Sequence, residues 1–219
     1  MRESTKAGIA DPAVAERLKA GIDALGLALP DEAADRLLAY LELLGRWNRV
    51  FNLTAVREVQ DMVTRHLLDS LAVLPYLPPG ALIDVGSGAG LPGIPIAIAD
   101  PSRPVTLLDR SHKRVGFLTE ATARLGLKQV VPVCGRAEEH QPPRPYDIVV
   151  TRAFASLADT LAQTRHLLAD QGVALAMKGA LPTEEMAQIK GDITIRAVHP
   201  LTVPGLNARR HLIVMARAA

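Results

Sequence analysis

One cysteine, Cys134, stands in the whole chain, which excludes an internal disulfide framework and any zinc cluster built on cysteine. Set in an apolar run, it reads as a core residue. Aromatic side chains are scarce, with three Phe, three Tyr and one Trp. A base-stacking role therefore falls on few candidates, and Phe154, beside Arg152, is the strongest. A charge excess is also missing. Twenty-five Lys and Arg against 23 Asp and Glu leave +2, too little to announce a nucleic-acid binder and far from an acidic solvating protein. The longest apolar stretch, 71–85, is broken by Pro75, Pro78, Pro79 and Gly80, so no membrane span is expected. Met1-Arg2-Glu3-Ser4-Thr5-Lys6 opens without an apolar run, so the expectation is a cytoplasmic protein without a signal peptide.

What is present is enough apolar residue, 48 % of 219, to build a sizeable core in one domain, or in one domain with an appendage. Nineteen of the basic residues are Arg, whose planar forks suit phosphates and base edges, although 33 Ala beside them also fit a compositional bias. Charge is uneven. Residues 1–80 hold 9 basic and 11 acidic side chains, and residues 81–219 hold 16 and 12. An anionic partner should meet the second part.

Residues 1–80 read as helical. Ala34, Leu37, Leu38, Leu41 and Leu44 form one stripe, and Val59, Met62, Val63, Leu67, Ser70, Leu71 and Leu74 another. A weaker helix is expected over 11–27, interrupted at Gly21. Pro78-Pro79-Gly80 then punctuates the chain, setting a helical extension (1–80) against a second unit (81–219). In that unit strand patterns at 82–85, 105–108, 130–134, 147–151, 172–177, 193–198 and 211–216 alternate with helical ones at 95–99, 111–125, 157–168 and 183–189. The alternation predicts an α/β fold, a mostly parallel sheet with helices on both faces, and an antiparallel end where only a loop joins the last two strands.

Asp84-Val85-Gly86-Ser87-Gly88-Ala89-Gly90-Leu91-Pro92-Gly93 follows the first strand, where doubly wound folds bind ligands. Gly88 to Gly93 matches the dinucleotide fingerprint, but Gly86 already occupies the strand end. Asp84 there would repel a pyrophosphate and suit an ammonium, as in S-adenosylmethionine. Asp109, ending the second strand, is placed for ribose hydroxyls, and Ala137-Glu138 after the third for adenine. For Asp109 alone, NAD and S-adenosylmethionine both qualify.

Taken with this turn, Trp47-Asn48, Asn52-Leu53-Thr54-Ala55-Val56, Arg65-His66-Leu67-Leu68-Asp69-Ser70, Lys113-Arg114-Val115, Arg152-Ala153-Phe154-Ala155-Ser156-Leu157, Lys178-Gly179 and Arg210-His211-Leu212 resemble the small-subunit ribosomal RNA methyltransferase G family in order and spacing. The resemblance implies a class I methyltransferase fold, Rossmann-like with seven strands. It implies methylation of guanine N7 at position 527, in the 530 loop of 16S rRNA, with S-adenosylmethionine as donor and the small ribosomal subunit or its rRNA as partner. It places Gly86, Leu91, Ala137, Glu138 and Arg152 at the cofactor, with Ser87 and Gly88 in the same turn. Where the family often has Pro, this chain has Ala89, a slightly less rigid turn.

The chemistry agrees. Thr151-Arg152-Ala153-Phe154 ends the fourth strand without the Asn/Asp-Pro-Pro-aromatic motif of amine methylases, and Cys134 is no nucleophile for a pyrimidine methylase. Guanine N7 needs no base, so Arg152 is expected to position, not to take a proton. The alternative for Arg152 is a salt bridge to Asp147 or to a neighbouring acid. His66 reads as a packed residue bonded to Asp69. Lys113, Arg114, Lys178, Arg209 and Arg210 are candidates for RNA phosphates, the last two expected at the opposite rim. No metal is expected, and the chain is expected to be a monomer. Competing readings are an NAD(P)-dependent oxidoreductase, a small-molecule methyltransferase and a cofactor-binding assembly factor without turnover.

Overall fold

A computed structural model describes residues 11–218, so the opening residues Met1 to Lys6 lie outside it. The chain begins with α1 (Pro12–Ala24), capped by Asp11, whose carboxylate accepts from Ala13 N–H at 3.0 Å, with Pro12 preset for the first turn. Next is α2 (Ala33–Phe51), which ends at Asn52 in the left-handed region, φ 51°. Helix α3 (59–71) starts and finishes with α-helical turns, but Val63–Leu68 is a π-helix in which Asp69 N–H reaches back to the Thr64 carbonyl.

Seven strands follow: β1 (Leu82–Val85), β2 (Val105–Asp109), β3 (Val130–Cys134), β4 (Tyr146–Arg152), β5 (Leu168–Lys178), β6 (Ile193–Pro200) and β7 (His211–Arg217). Between them lie α4 (Gly93–Ala99), α5 (His112–Arg124), α6 (Leu157–Thr164) and α7 (Thr183–Ala187). The strand order is β3-β2-β1-β4-β5-β7-β6, parallel through β5, with β7 antiparallel to both its neighbours. Among the described residues no helix is long and apolar enough to cross a membrane.

Strand alternation divides the core. Leu82 and Asp84 face one side of the sheet, Ile83 and Val85 the other. On the first side Leu82, Leu107, Ile148 and Val150 pack under Leu18, Leu37, Leu41, Leu67, Leu71, Ile94 and Phe117. On the second, Ile83, Val149 and Ala174 meet Leu157 and Leu161 of α6. The N-terminal helices thus lie on the α4–α5 face, with fully buried leucines contributing about 1.5–3 kcal/mol each.

Two local expectations are corrected. Gly21 does not interrupt α1. Leu68 packs where a Cβ would stand, so the glycine lets α1 approach the π-turn closely. Leu168 belongs to β5 and not to the preceding helix, because it pairs with Tyr146 and is buried. The Pro78-Pro79-Gly80 segment is tied down, since Arg103 donates to the Pro78 and Gly80 carbonyls at 2.9 Å each, and Asp147 accepts from Ala81 N–H at 2.8 Å.

Gly21→Val should push α1 off the π-turn and cost about 1–3 kcal/mol, read as a lower urea midpoint with an unchanged m-value.

Candidate active site

The glycine turn is built by three left-handed glycines, Gly86, Gly88 and Gly90, at φ 71°, 59° and 86°. Gly86 and Ser87 N–H donate to the Leu108 carbonyl at 2.8 and 3.1 Å, and Gly90 N–H to the Ser87 carbonyl at 2.7 Å. Two acids brace the turn from opposite ends. Asp109 accepts from Gly88 N–H and Ser111 N–H, both at 2.9 Å, and from Arg114 at 3.3 Å. Asp84 accepts from Gly93 N–H at 2.8 Å. The helical layer holds the turn as well, since the buried Tyr40 hydroxyl donates to the Ala89 carbonyl at 2.6 Å.

The turn opens onto a cavity of about 340 Å³ at the carboxyl ends of β1 to β4, within the ~300–1,000 Å³ of small-molecule sites. Its wall brings together Gly86, Asp109, Arg114, Ala137, Glu138 and Phe154 of the expected residues, and adds Arg110, Gly135, Arg136 and Gln163. The additions carried no sequence signal beyond following strand ends, and Gln163 arrives only because α6 packs beside β4. Phe154 lies against Gly86, where a Cβ would stand 2.5 Å from its Cδ2. That ring is a wall of the cavity more than an open stacking face.

Five expected cofactor residues stand elsewhere, Gly88 among them, in the turn with its N–H turned to Asp109. Leu91 is buried in the helical-side core, and Ser87 is buried with its hydroxyl 3.5 Å from the Leu108 carbonyl. Asp84 is 0 % exposed, behind the turn, with Oδ1 unpartnered. Burial pushes its pKa up to about 7, against the lowering effect of the Gly93 N–H. Arg152 does not line the cavity. It does pair with an acid, the buried Asp69 3.4 Å away and not Asp147, and it donates to the Arg65 carbonyl at 2.9 Å.

Asp69, read from the sequence as a partner for His66, is instead the acid held between two arginines. Its second oxygen accepts from Arg210 at 2.9 Å. Lys178 pairs in register with His211, so Arg209 and Arg210 lie on the ligand rim and not on the opposite one: an antiparallel β7 starts where β5 ends. Lys178 donates to the Ala155 carbonyl and to Glu185, each at 2.8 Å. Arg209 is exposed, as are Lys113 and Arg114 on the first turn of α5.

His66 is buried, as expected, but bonds Thr54 through Nε2 at 2.9 Å and not Asp69. Its Nδ1 faces Arg152 Nη2 at 3.4 Å and can only accept there, because a guanidinium only donates. Burial first, then the Arg152 charge, lowers its pKa to about 4, so the imidazole is neutral at pH 7. Cys134 is exposed, not core: it ends an edge strand, 3.3 Å from His112 Nδ1.

Residues 33–213 match the model of a family described as rRNA small subunit methyltransferase G. The chain is 49 % identical over 200 residues to "Ribosomal RNA small subunit methyltransferase G" of Methylobacillus flagellatus, covering 91 % of this chain and 97 % of that one. It is 50 % identical over 198 residues to the protein of the same name from Laribacter hongkongensis, covering 90 % and 96 %. Among solved structures, a glycopeptide N-methyltransferase complexed with S-adenosylmethionine aligns with a TM-score of 0.59 at 12 % identity, over 70 % of this chain and 88 % of that one. TrmN from Thermus thermophilus aligns at 0.53 and 17 %, over 71 % and 53 %. The architecture is the class I methyltransferase fold.

The His66 value of about 4 lies below the ordinary 6.5, so the unfolded chain takes up the proton first and stability is lost as pH falls from 6.5 towards 4. Asp84, raised from 3.8 to about 7, works the other way, adding stability as pH falls below 7. His66→Gln removes the first effect. Its stability relative to wild type should rise by about 2 kcal/mol between pH 7 and pH 5, measured by urea unfolding; a pH-independent difference would contradict this.

Proposed function

The chain belongs to the rRNA small subunit methyltransferase G family, and from that we propose that it transfers a methyl group from S-adenosylmethionine to N7 of a guanine in 16S rRNA, at position 527 in the 530 loop. The observation that carries the chemistry is the make-up of the cavity: acids, arginines and glycines on its wall, and, among the described residues, no His, Cys, Tyr or Lys lining it.

S-adenosylmethionine, when bound, supplies an electrophilic methyl. The wall suits it. Gly86 keeps the floor open beneath Phe154, and Asp109 and Glu138 offer carboxylates to ribose hydroxyls and the adenine edge. Asp109 already accepts three hydrogen bonds, which fixes its orientation for a further donor. Ser87, Gly88 and Leu91 shape the turn from behind, and Asp84 holds its Gly93 end.

Guanine N7 has an in-plane lone pair and no proton, so accepting a methyl group requires no base. His66 is neutral, buried and bonded to Thr54, and Arg152 stays protonated. What remains for the protein is alignment of acceptor and donor. In this reading Arg152 positions the end of β4, and Lys113, Arg114, Lys178, Arg209 and Arg210 form a rim for RNA phosphates, with Phe154 beside the acceptor. The helices of 1–80 cover the 81–219 unit, and the protein works as a cytoplasmic monomer on the small ribosomal subunit or its rRNA.

Incubation with labelled S-adenosylmethionine and unmodified small subunits, followed by digestion to nucleosides, should place the label in 7-methylguanosine. Label in another nucleoside, or none, overturns the proposal. Gly86→Ala should strain φ 71° and displace Phe154. The expected result is at least about tenfold weaker S-adenosylmethionine binding by calorimetry, from a loss of about 1.4 kcal/mol or more, with the fold retained by circular dichroism.

A further inference from the structure

Phe51 is the only one of the seven aromatic side chains that is exposed, at 39 %. Val50 beside it is 69 % exposed. The pair sits at the last turn of α2, outside the cavity wall. The ring is nonetheless held in place. Trp47 backs it with centroids 5.0 Å apart, and Trp47 is itself fixed by its Nε1–H donating to Glu120 at 3.1 Å and by the Phe117 edge. Lys113 Nζ stands 5.3 Å from the Phe51 centroid. No acid occurs between residues 43 and 57, whereas Arg46, Arg49 and Arg57 do. Arg57 donates to the Asn48 carbonyl and to Asn52 Oδ1, bracing the left-handed turn that ends the helix.

Two links tie this tip to the site. Lys113 adjoins Arg114, which lines the cavity. From the other side, Asn48 accepts from Thr54 N–H, Thr54 bonds His66, and His66 meets Arg152 at the end of β4. The tip is therefore held at a set position relative to the acceptor strand.

We propose that Phe51, backed by Trp47, is a stacking platform for an unpaired base of the RNA substrate near the target guanine, with Lys113, 5.3 Å over the ring, and the exposed Arg49 two residues earlier on α2 meeting the adjoining phosphates. The inference rests on the rRNA methyltransferase reading. Aromatic faces accept any unstacked base, and flanking cations displace counterions from the backbone. A protein partner would call for a broader apolar face. Here only two apolar side chains are exposed, and cations flank them.

The test compares wild type, Phe51→Ala, Phe51→Trp and Arg49→Ala for binding to protein-free 16S rRNA and to unmodified small subunits, for methylation of both, and for S-adenosylmethionine binding by calorimetry. Phe51→Ala should weaken RNA binding and raise the RNA KM about tenfold, with kcat and S-adenosylmethionine affinity within about twofold of wild type. Phe51→Trp should restore both values. Arg49→Ala should lower the slope of log affinity against log salt by about 0.7 to 0.9. Unchanged RNA binding in Phe51→Ala, a defect that Trp does not restore, or a defect seen only with subunits and not with protein-free rRNA would overturn the proposal, the last pointing to a ribosomal protein. If wild type forms no 7-methylguanosine while Phe51→Ala still loses RNA binding, the methyltransferase reading fails and the platform stands.

Discussion

Asp69 is a carboxylate 3 % exposed between two guanidiniums, Arg152 from β4 and Arg210 from the lead into β7. Neither charge could be left in that position alone. Removing one partner of a buried ion pair costs about 3–5 kcal/mol, because the other stays desolvated. The carboxylate is delivered by the π-turn of α3, and the two arginines come from distant parts of the chain. One acid therefore joins the N-terminal helices, β4 and the antiparallel end of the sheet at a single point near the cavity edge.

The same point is where the chain's polar burial concentrates. Asn48, Thr64, His66, Asp69 and Ser70 are all buried on the α2–α3 layer, and most of them have partners. Asn48 spans Thr54 and Val56, Thr64 accepts from Arg17 at 3.1 Å, and His66 holds Thr54. Such a network orients groups more than it stabilises them. Its effect is to hold the helical layer to the sheet at one register, with Tyr40 gripping the glycine turn from the same layer. A buried neutral histidine is also cheaper to keep there than a cation would be, since Arg152 already supplies the positive charge that Asp69 needs.

The alternating pattern was legible because strand and helix periods differ, and the glycine turn because its residues have few other uses. The strand order and the antiparallel end follow from that pattern. The side of the turn on which each acid falls does not. Asp84 and Asp109 stand near the ends of adjacent strands and read alike as residues. They share one face of the sheet, but Asp84 is level with Leu107 and stays beneath the turn, bonded to Gly93, while Asp109 lies one pleat further along and reaches the cavity wall. Leu91 and Arg152 illustrate the same limit, each sitting one layer behind the surface that its position along the chain suggests. The π-turn was illegible for a different reason: an apolar stripe at helical spacing looks the same whether one turn is widened or not, yet the widened turn is what aims His66 and Asp69 at β4.

Counting charges misjudged the RNA question for a structural reason. A net charge of +2 treats every arginine as available. In the folded chain Arg152 and Arg210 are engaged by Asp69, Lys178 by Glu185, Arg114 by Asp109 and Arg103 by Asp100 and two carbonyls. All of these but Arg103, which lies at the amino ends of the strands, stand at the ligand rim; their charge is largely balanced before any partner arrives. The acids that balance them are for the most part drawn inward, Asp69 and Asp109 almost completely. What faces solvent near the cavity is therefore more basic than the total, with Arg49, Lys113 and Arg209 outward. A local field of that kind, acting over about a Debye length of 8–10 Å, is enough to orient a folded RNA surface at close range without making the whole protein a polycation.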